Sequence, residues 1–128
     1  MIEPFEPHDI PGKPWGRELV FAHTADYLGK VLWMNKGHGG HLQYHERKDE
    51  TFFLLSGSAQ VNFHDAAGQL VSRIMLPGES YHVPPGAVHQ VIALEDSILV
   101  EASNPVFEDR VIVKPMGAPL DLECPTHL

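Results

Sequence analysis

Gly37-His-Gly-Gly-His41-Leu-Gln43-Tyr-His45-Glu-Arg-Lys-Asp49-Glu50-Thr-Phe-Phe-Leu-Leu-Ser-Gly57 is the stretch on which the reading of the fold turns. Residues two apart in a strand point the same way, so His41, Gln43 and His45 share one face. A short charged run, Glu46-Arg-Lys-Asp49, follows, and Glu50-Thr-Phe-Phe-Leu-Leu then reads as a second strand rich in β-formers. Paired with the first strand, it lets Glu50 face the same space as His45. An amide oxygen, an imidazole and a carboxylate then converge, a set of oxygen and nitrogen donors that suits a divalent metal.

A second stretch, Gly78-Glu-Ser-Tyr-His82-Val-Pro84-Pro-Gly86-Ala-Val-His89, supplies a fourth donor. It reads as a strand, a Pro-Pro-Gly turn and a histidine opening the next strand. Pro84 fixes φ, Gly86 permits a positive φ, and His89 is aimed inward just beyond.

The two stretches resemble the paired motifs of the cupin superfamily. The first motif is Gly, five residues, His-x-His, three or four residues, Glu, six residues, Gly; it is matched by Gly37, Gln43, His45, Glu50 and Gly57. The second is Gly, five residues, Pro-x-Gly, two residues, His, three residues, Asn; it is matched by Gly78, Pro84, Gly86 and His89. Gln43 stands where the first His is usual, and Ala93 where the final Asn is usual. Within cupins the chain is most similar to the cupin half of mannose-6-phosphate isomerases, through Lys13-Pro-Trp-Gly16, Leu42-Gln-Tyr-His45, Lys48-Asp-Glu50 and Gly57-Ser-Ala59. The Tyr-Gly-Arg signature of those isomerases is absent, and Lys114-Pro-Met-Gly117 sits nearby instead. The resemblance spans residues 13–113. It implies a jelly-roll barrel, a bound metal and a sugar or sugar phosphate as substrate.

Composition bounds the alternatives. The 128 residues, 43% hydrophobic, fit one domain with a sizeable core. A net charge of −8 argues against nucleic acid and anionic membranes as partners. The one cysteine, Cys124, cannot form an intramolecular disulfide. The N-terminus is acidic and broken by proline, unlike a signal peptide, and no run reaches transmembrane length, so a cytoplasmic protein is expected. Neither a Gly-x-Ser-x-Gly elbow nor a phosphate-cradling loop opening a helix is present.

In chain order, residues 1–16 carry Pro4, Pro7, Pro11 and Pro14 and read as an extended arm, pairing along a sheet edge or a partner subunit, with Trp15 as a packing anchor. Strands are expected at 17–22, 27–35, 41–45, 50–55, 59–63, 69–76, 78–83, 90–94, 97–102 and 111–113. Residues 114–128 form a proline-rich tail that wraps the surface. About ten short strands with regular turn signals and no helical period predict an all-β fold, an antiparallel sandwich or barrel over residues 17–113. The arm, and the habit of similar cupins to associate through sheet edges, predict a homodimer.

Four donors at fixed spacings define the candidate site: Gln43, His45, Glu50 and His89 hold one divalent metal ion (Zn, Mn, Fe or Ni). His41, on the face of Gln43 and His45, is the candidate catalytic base, with extra ligand or pocket lining as its alternatives; an imidazole titrates near neutral pH. His82 either lines the cavity or sits on the surface. The run Glu46–Asp49 reads as a solvated turn, although Lys48 matches a basic position of the isomerase motif. The expected partner is a small hydroxylated or carbonyl compound. Metal-dependent isomerisation is the leading chemistry, dioxygenation the alternative, and non-catalytic ligand binding the third reading.

Overall fold

The computed structural model describes residues 1–123; Cys124 and His127 lie outside the described residues. Eleven strands and no helix occur among them: β1 (His8–Ile10), β2 (Gly16–His23), β3 (Leu28–Met34), β4 (Leu42–His45), β5 (Glu50–Ser56), β6 (Ala59–His64), β7 (Leu70–Met75), β8 (Ser80–Val83), β9 (His89–Ala93), β10 (Ser97–Ser103) and β11 (Arg110–Lys114). None of the described residues forms a helix long and apolar enough to cross a membrane. Every pairing is antiparallel. One sheet has the order β1-β2-β3-β10-β5-β8 and the other β11-β4-β9-β6-β7. The all-β antiparallel sandwich expected from the strand spacing is the architecture observed.

Alternation builds the core. Glu50, Phe52 and Leu54 of β5 are buried while Phe53 and Leu55 are exposed, and Ser97, Leu99 and Glu101 of β10 repeat the pattern. The inward residues of both sheets interdigitate, with Val20, Leu28, Leu54, Val61 and Met75 fully enclosed. Each such side chain stabilises the fold by roughly 1.5–3 kcal/mol. Trp15 packs against the core cluster, the anchoring role read for it.

The arm engages its own chain: β1 pairs with the edge of β2, His8 opposite Val20 and Ile10 opposite Glu18. One expectation is corrected in a way that matters for the site. β4 and β5 are not partners. β4 lies between β11 and β9, while β5 lies between β10 and β8 in the opposite sheet. The segment 46–49 is therefore a crossing between sheets. A hairpin there would have placed Glu50 beside β4, whereas the crossing sends it to the facing layer, where its inward side chain meets His45 across the sandwich.

That crossing is pinned from the far end of the chain. Asp109 Oδ2 accepts hydrogen bonds from the backbone N–H of Arg47 (2.6 Å) and Lys48 (3.1 Å). Asn104 accepts from the N–H of Asp49 and donates to the Arg47 carbonyl. Glu46, Arg47 and Asp49 are exposed, as a solvated turn requires, but Lys48 is buried. Its aliphatic stem runs inward because two carboxylates wait for the ammonium.

Candidate metal centre

The site begins at the junction of β4 and β9, where Gln43 and His89 are direct cross-strand partners. His45, two residues along β4, projects from the same face. The turn that delivers His89 behaves as read: Gly86 has φ +84° and its N–H donates to the His45 carbonyl at 2.7 Å, tying the turn to β4. Glu50 arrives from the opposite sheet. Its Oε1 lies 3.1 Å from His89 Nε2 and 3.7 Å from His45 Nε2. His45, Glu50 and His89 are all buried, their ligand atoms lie within 4.8 Å of one another, and the cluster could hold a metal ion.

Both imidazoles are fixed through Nδ1. His45 Nδ1 faces Asp109 Oδ1 at 3.0 Å, and His89 Nδ1 faces the Ala87 carbonyl at 2.9 Å. Each partner is an acceptor, so Nδ1 carries the proton and donates. The neutral rings then aim the Nε2 lone pair at the cluster, the arrangement by which outer partners set the tautomer of metal-binding histidines.

Behind the histidines lies a buried charge network. Lys48 Nζ sits 3.1 Å from Glu50 Oε2 and 2.9 Å from Glu101 Oε1. Burial opposes ionisation of Glu50, yet the Glu101 carboxyl, His89, Lys48 and His45 together hold it well below the usual carboxylate range. Glu101 goes the other way: burial and the Glu50 charge push it up to about 7, against the pull of Lys48 and Lys30. Burial would lower Lys48, but Glu101 and Glu50 override it and keep the ammonium charged. Burial lowers His45, helped by Lys48 and His89 and opposed by Glu50 and Asp109. His89 is raised: burial works against its charge, and the contacts to Glu50 and to the Ala87 carbonyl outweigh it. Without a metal, the contacts to Glu50 and Ala87 favour a proton on His89.

Gln43 stands apart. Its Oε1 is buried and has no hydrogen-bond partner. An unpaired buried amide oxygen costs about 1–3 kcal/mol. It lines the same cavity as His45, Glu50 and His89, a space of about 140 Å³ walled by residues such as Trp15, Met34 and Leu99. The donor set present fits a divalent cation: two imidazoles, a carboxylate, an oxygen lacking a donor, and no thiolate.

His41 lines this cavity too, but its Nδ1 accepts a hydrogen bond from the Met116 N–H at 2.8 Å. A neutral ring so held carries its proton on Nε2 and offers a donor there. His82 is on the surface, its side chain 61% exposed and 2.7 Å from Asp49 Oδ1. Of its two readings, cavity lining is excluded.

The sequence reading missed Asp109 and Glu101. Asp109 is 64 residues from the histidine it orients, in a loop with no pattern of its own. Glu101 did leave a signal, a carboxylate at an inward position of a strand whose alternate residues are core; Glu18 and Lys30 left the same one.

Comparison with known proteins agrees with the geometry. No curated protein matches the chain. Among solved structures, KdgF from Halomonas sp. is 25% identical with a TM-score of 0.68, over 80% of this chain and 89% of that one. An RmlC-like cupin from Shewanella frigidimarina is also 25% identical, with a TM-score of 0.66 over 81% and 86%. The capsular polysaccharide assembling protein CapF from Staphylococcus aureus shares the fold at 18% identity and a TM-score of 0.75, over 86% of this chain and 32% of that chain. The cupin domain family matches residues 31–102, from β3 through β10 and across all four candidate donors. With more than half its length inside that match, the chain belongs to the cupin family.

Proposed function

We propose that this cupin binds one divalent metal through Gln43, His45, Glu50 and His89, and acts on or recognises a small hydroxylated or carbonyl compound, a sugar or sugar phosphate. The observation that carries the reading is the unpartnered Gln43 oxygen beside a buried His-Glu-His cluster. A protein that folds around a polar atom without a partner loses stability unless something else satisfies it. When bound, the ion supplies a Lewis acid able to polarise a substrate carbonyl and its neighbouring hydroxyl.

The chain's own residues supply the rest. Lys48 holds one oxygen of Glu50 and leaves the other facing the histidines. His41 is the proposed acid–base group of an isomerisation that moves a proton between adjacent carbons. While Met116 holds Nδ1, its Nε2–H orients a substrate oxygen; taking up a proton requires that contact to open. The sugar-phosphate assignment rests on the isomerase-like segments 13–16, 42–45 and 48–50.

The test uses metal-loaded protein with aldoses, ketoses and their phosphates in deuterated water. Isomerase chemistry washes deuterium into the carbon next to the carbonyl, and His41→Ala slows it. No exchange, with oxygen uptake on an enediol or aromatic diol, transfers the site to dioxygenase chemistry. Silence in both, with ligand-dependent thermal stabilisation, leaves a binding module. His45→Ala or His89→Ala retaining full metal stoichiometry overturns the metal assignment itself.

A further inference from the structure

The inner cavity opens into a second, larger space of about 390 Å³, and the two share Lys13, Trp15, Gly40, His41 and Arg110. Three irregular segments and Arg110 of β11 build this vestibule; the segments are the loop 12–15 of the N-terminal arm, residues 38–41 before β4, and the C-terminal tail at Met116, Gly117 and Pro119. All three are fastened. The Trp15 carbonyl accepts from the Asn35 N–H at 2.8 Å. The Leu120 N–H donates to the Gly37 carbonyl at 2.9 Å, and Met116 donates to His41. Gly37 sits at φ +85°, and a Cβ there would lie 2.5 Å from the Leu120 carbonyl oxygen, so the tail is seated closely on the loop.

The charge of this space opposes that of the molecule. The chain carries −8, yet two of its nine lysines and arginines, Lys13 and Arg110, converge here. Lys13 Nζ is 3.3 Å from Glu18 Oε2, but the same carboxylate is taken at 2.8 Å by buried Lys30, so one negative charge serves two ammonium groups. Arg110 meets Glu108 through Nε at 3.1 Å, with both side chains open to solvent, a pair a ligand can displace at little cost. Arg110 lies opposite His45 in the β11–β4 ladder, which puts its side chain on the face that bears the metal cluster. His41 adds the Nε2–H donor.

We propose that the vestibule is an oxyanion subsite, taking a carboxylate or phosphate group of a substrate whose hydroxyl or carbonyl end enters the inner cavity. The proposal rests on the reading of that cavity as the substrate site. Lys13 supplies a point charge, Arg110 a planar fork that matches two oxygens, and His41 a neutral donor. Their placement on the rim selects small anions over neutral polyols of the same size.

The experiment titrates the full-length, chelator-treated protein with inorganic phosphate and, separately, with acetate, following the Trp15 indole resonance by NMR; sorbitol is the neutral control. Removing the metal prevents the anions from being scored as metal ligands. Saturation by at least one anion and none by sorbitol is expected, and the tighter of the two identifies the group. Lys13→Met and Arg110→Met should each weaken binding roughly tenfold or more. Arg110→Lys should fall between, and Lys114→Met, whose side chain lies outside both cavities, should leave binding unchanged. Lys13→Met leaves Glu18 paired with Lys30, so the fold is retained; thermal melts check this. Absence of saturation by both anions overturns the proposal, as does equal weakening by Lys114→Met. Metal stoichiometry measured on the same protein separates the two readings. Anion binding that depends on Lys13 and Arg110 in a protein that takes no metal leaves the subsite standing and removes the metal site. Metal uptake without anion saturation does the reverse.

Discussion

Asp109 Oδ1 lies 3.0 Å from Nδ1 of His45, while its Oδ2 holds the backbone of Arg47 and Lys48. One carboxylate thus sets the tautomer of a candidate ligand and anchors the crossing that carries Glu50 to the facing sheet. Burial opposes its charge, but the two N–H groups and His45 hold it below the usual aspartate range. Asp109→Asn can turn an N–H toward Nδ1, which moves the ring proton to Nε2 and blocks that nitrogen. Metal affinity should fall by about 10- to 100-fold. Calorimetry at neutral pH measures it, with far-UV circular dichroism checking that the sheets persist. Unchanged affinity would show that Asp109 only anchors the backbone.

Lys48→Met leaves Glu50 and Glu101 buried together without their shared cation. Removing one partner from a buried ionic network costs roughly 3–5 kcal/mol. The urea midpoint of the metal-free variant should drop accordingly, and saturating metal should recover part of the loss by neutralising Glu50. A midpoint within error of the wild type would mean that the ammonium contributes nothing net.

Protons compete with metal at this site. His89 has a raised pKa, so its protonation stabilises the metal-free fold at low pH, and that contribution is lost as pH rises through the folded value. A metal needs His89 neutral. Apparent affinity should therefore climb about tenfold per pH unit below the His89 pKa and level off above it. Calorimetry in buffers of different ionisation enthalpy should register proton release on binding below the His89 pKa, and less above it. A flat profile without proton release would be incompatible with His89 as a ligand.

Much of this was readable in the residues, and the limits have physical causes. Side-chain direction has a period of two along a strand, so Gln43 and His45 had to share a face whatever their partners. Pro84 and Gly86 carry local backbone preferences, so the turn before His89 was legible. Strand partnership is a non-local property. The run 46–49 has the composition of a hairpin turn, and only the packing of two sheets makes it a crossing. Lys48 looked like a solvated charge because one of its two neutralising partners, Glu101, lies 53 residues away, and the other, Glu50, meets it only through the crossing between sheets. Inward charges at Glu18, Lys30 and Glu101 break the apolar alternation of their strands; that break is the cue from which an internal charge network can be suspected.

The outer faces of the two sheets differ. The five-stranded sheet carries an amide and hydroxyl ladder of Gln60, Asn62, Ser72 and Gln90 between exposed Leu70 and Ile74. The six-stranded sheet presents Phe21, Phe53 and Leu55, exposed, with Val100 and Val31 in the same cross-strand row as Phe53. We propose that a second copy covers this apolar face, consistent with the homodimer expected from the arm. The acidic side chain in this row, Asp9 at its edge, is paired with Arg17 at 2.8 Å, so two copies of an acidic chain can meet there without an unpaired charge in that row. Light scattering at micromolar concentration should give the dimer mass, and Phe53→Glu with Leu55→Glu should give the monomer. A monomeric wild type overturns it.

Gln43→Leu separates a ligand from a structural residue, because its two effects have opposite signs. The substitution keeps roughly the volume of the side chain and removes an amide whose Oε1 has no partner in the fold. In the metal-free protein the change should be neutral or stabilising by about 1 kcal/mol, since replacing an unsatisfied buried polar group with an apolar one removes a desolvation penalty. In the presence of metal the sign reverses. A bound ion is the group that would satisfy Oε1, so the variant should bind more weakly, and the stabilisation gained on adding metal should shrink. Paired urea titrations with chelator and with excess metal read both quantities in one series. A Gln43 that only packs would give the same difference between variant and wild type in both conditions. A Gln43 that ligates gives a variant at least as stable as the wild type without metal and less stable with it, and no change in packing alone produces that crossing.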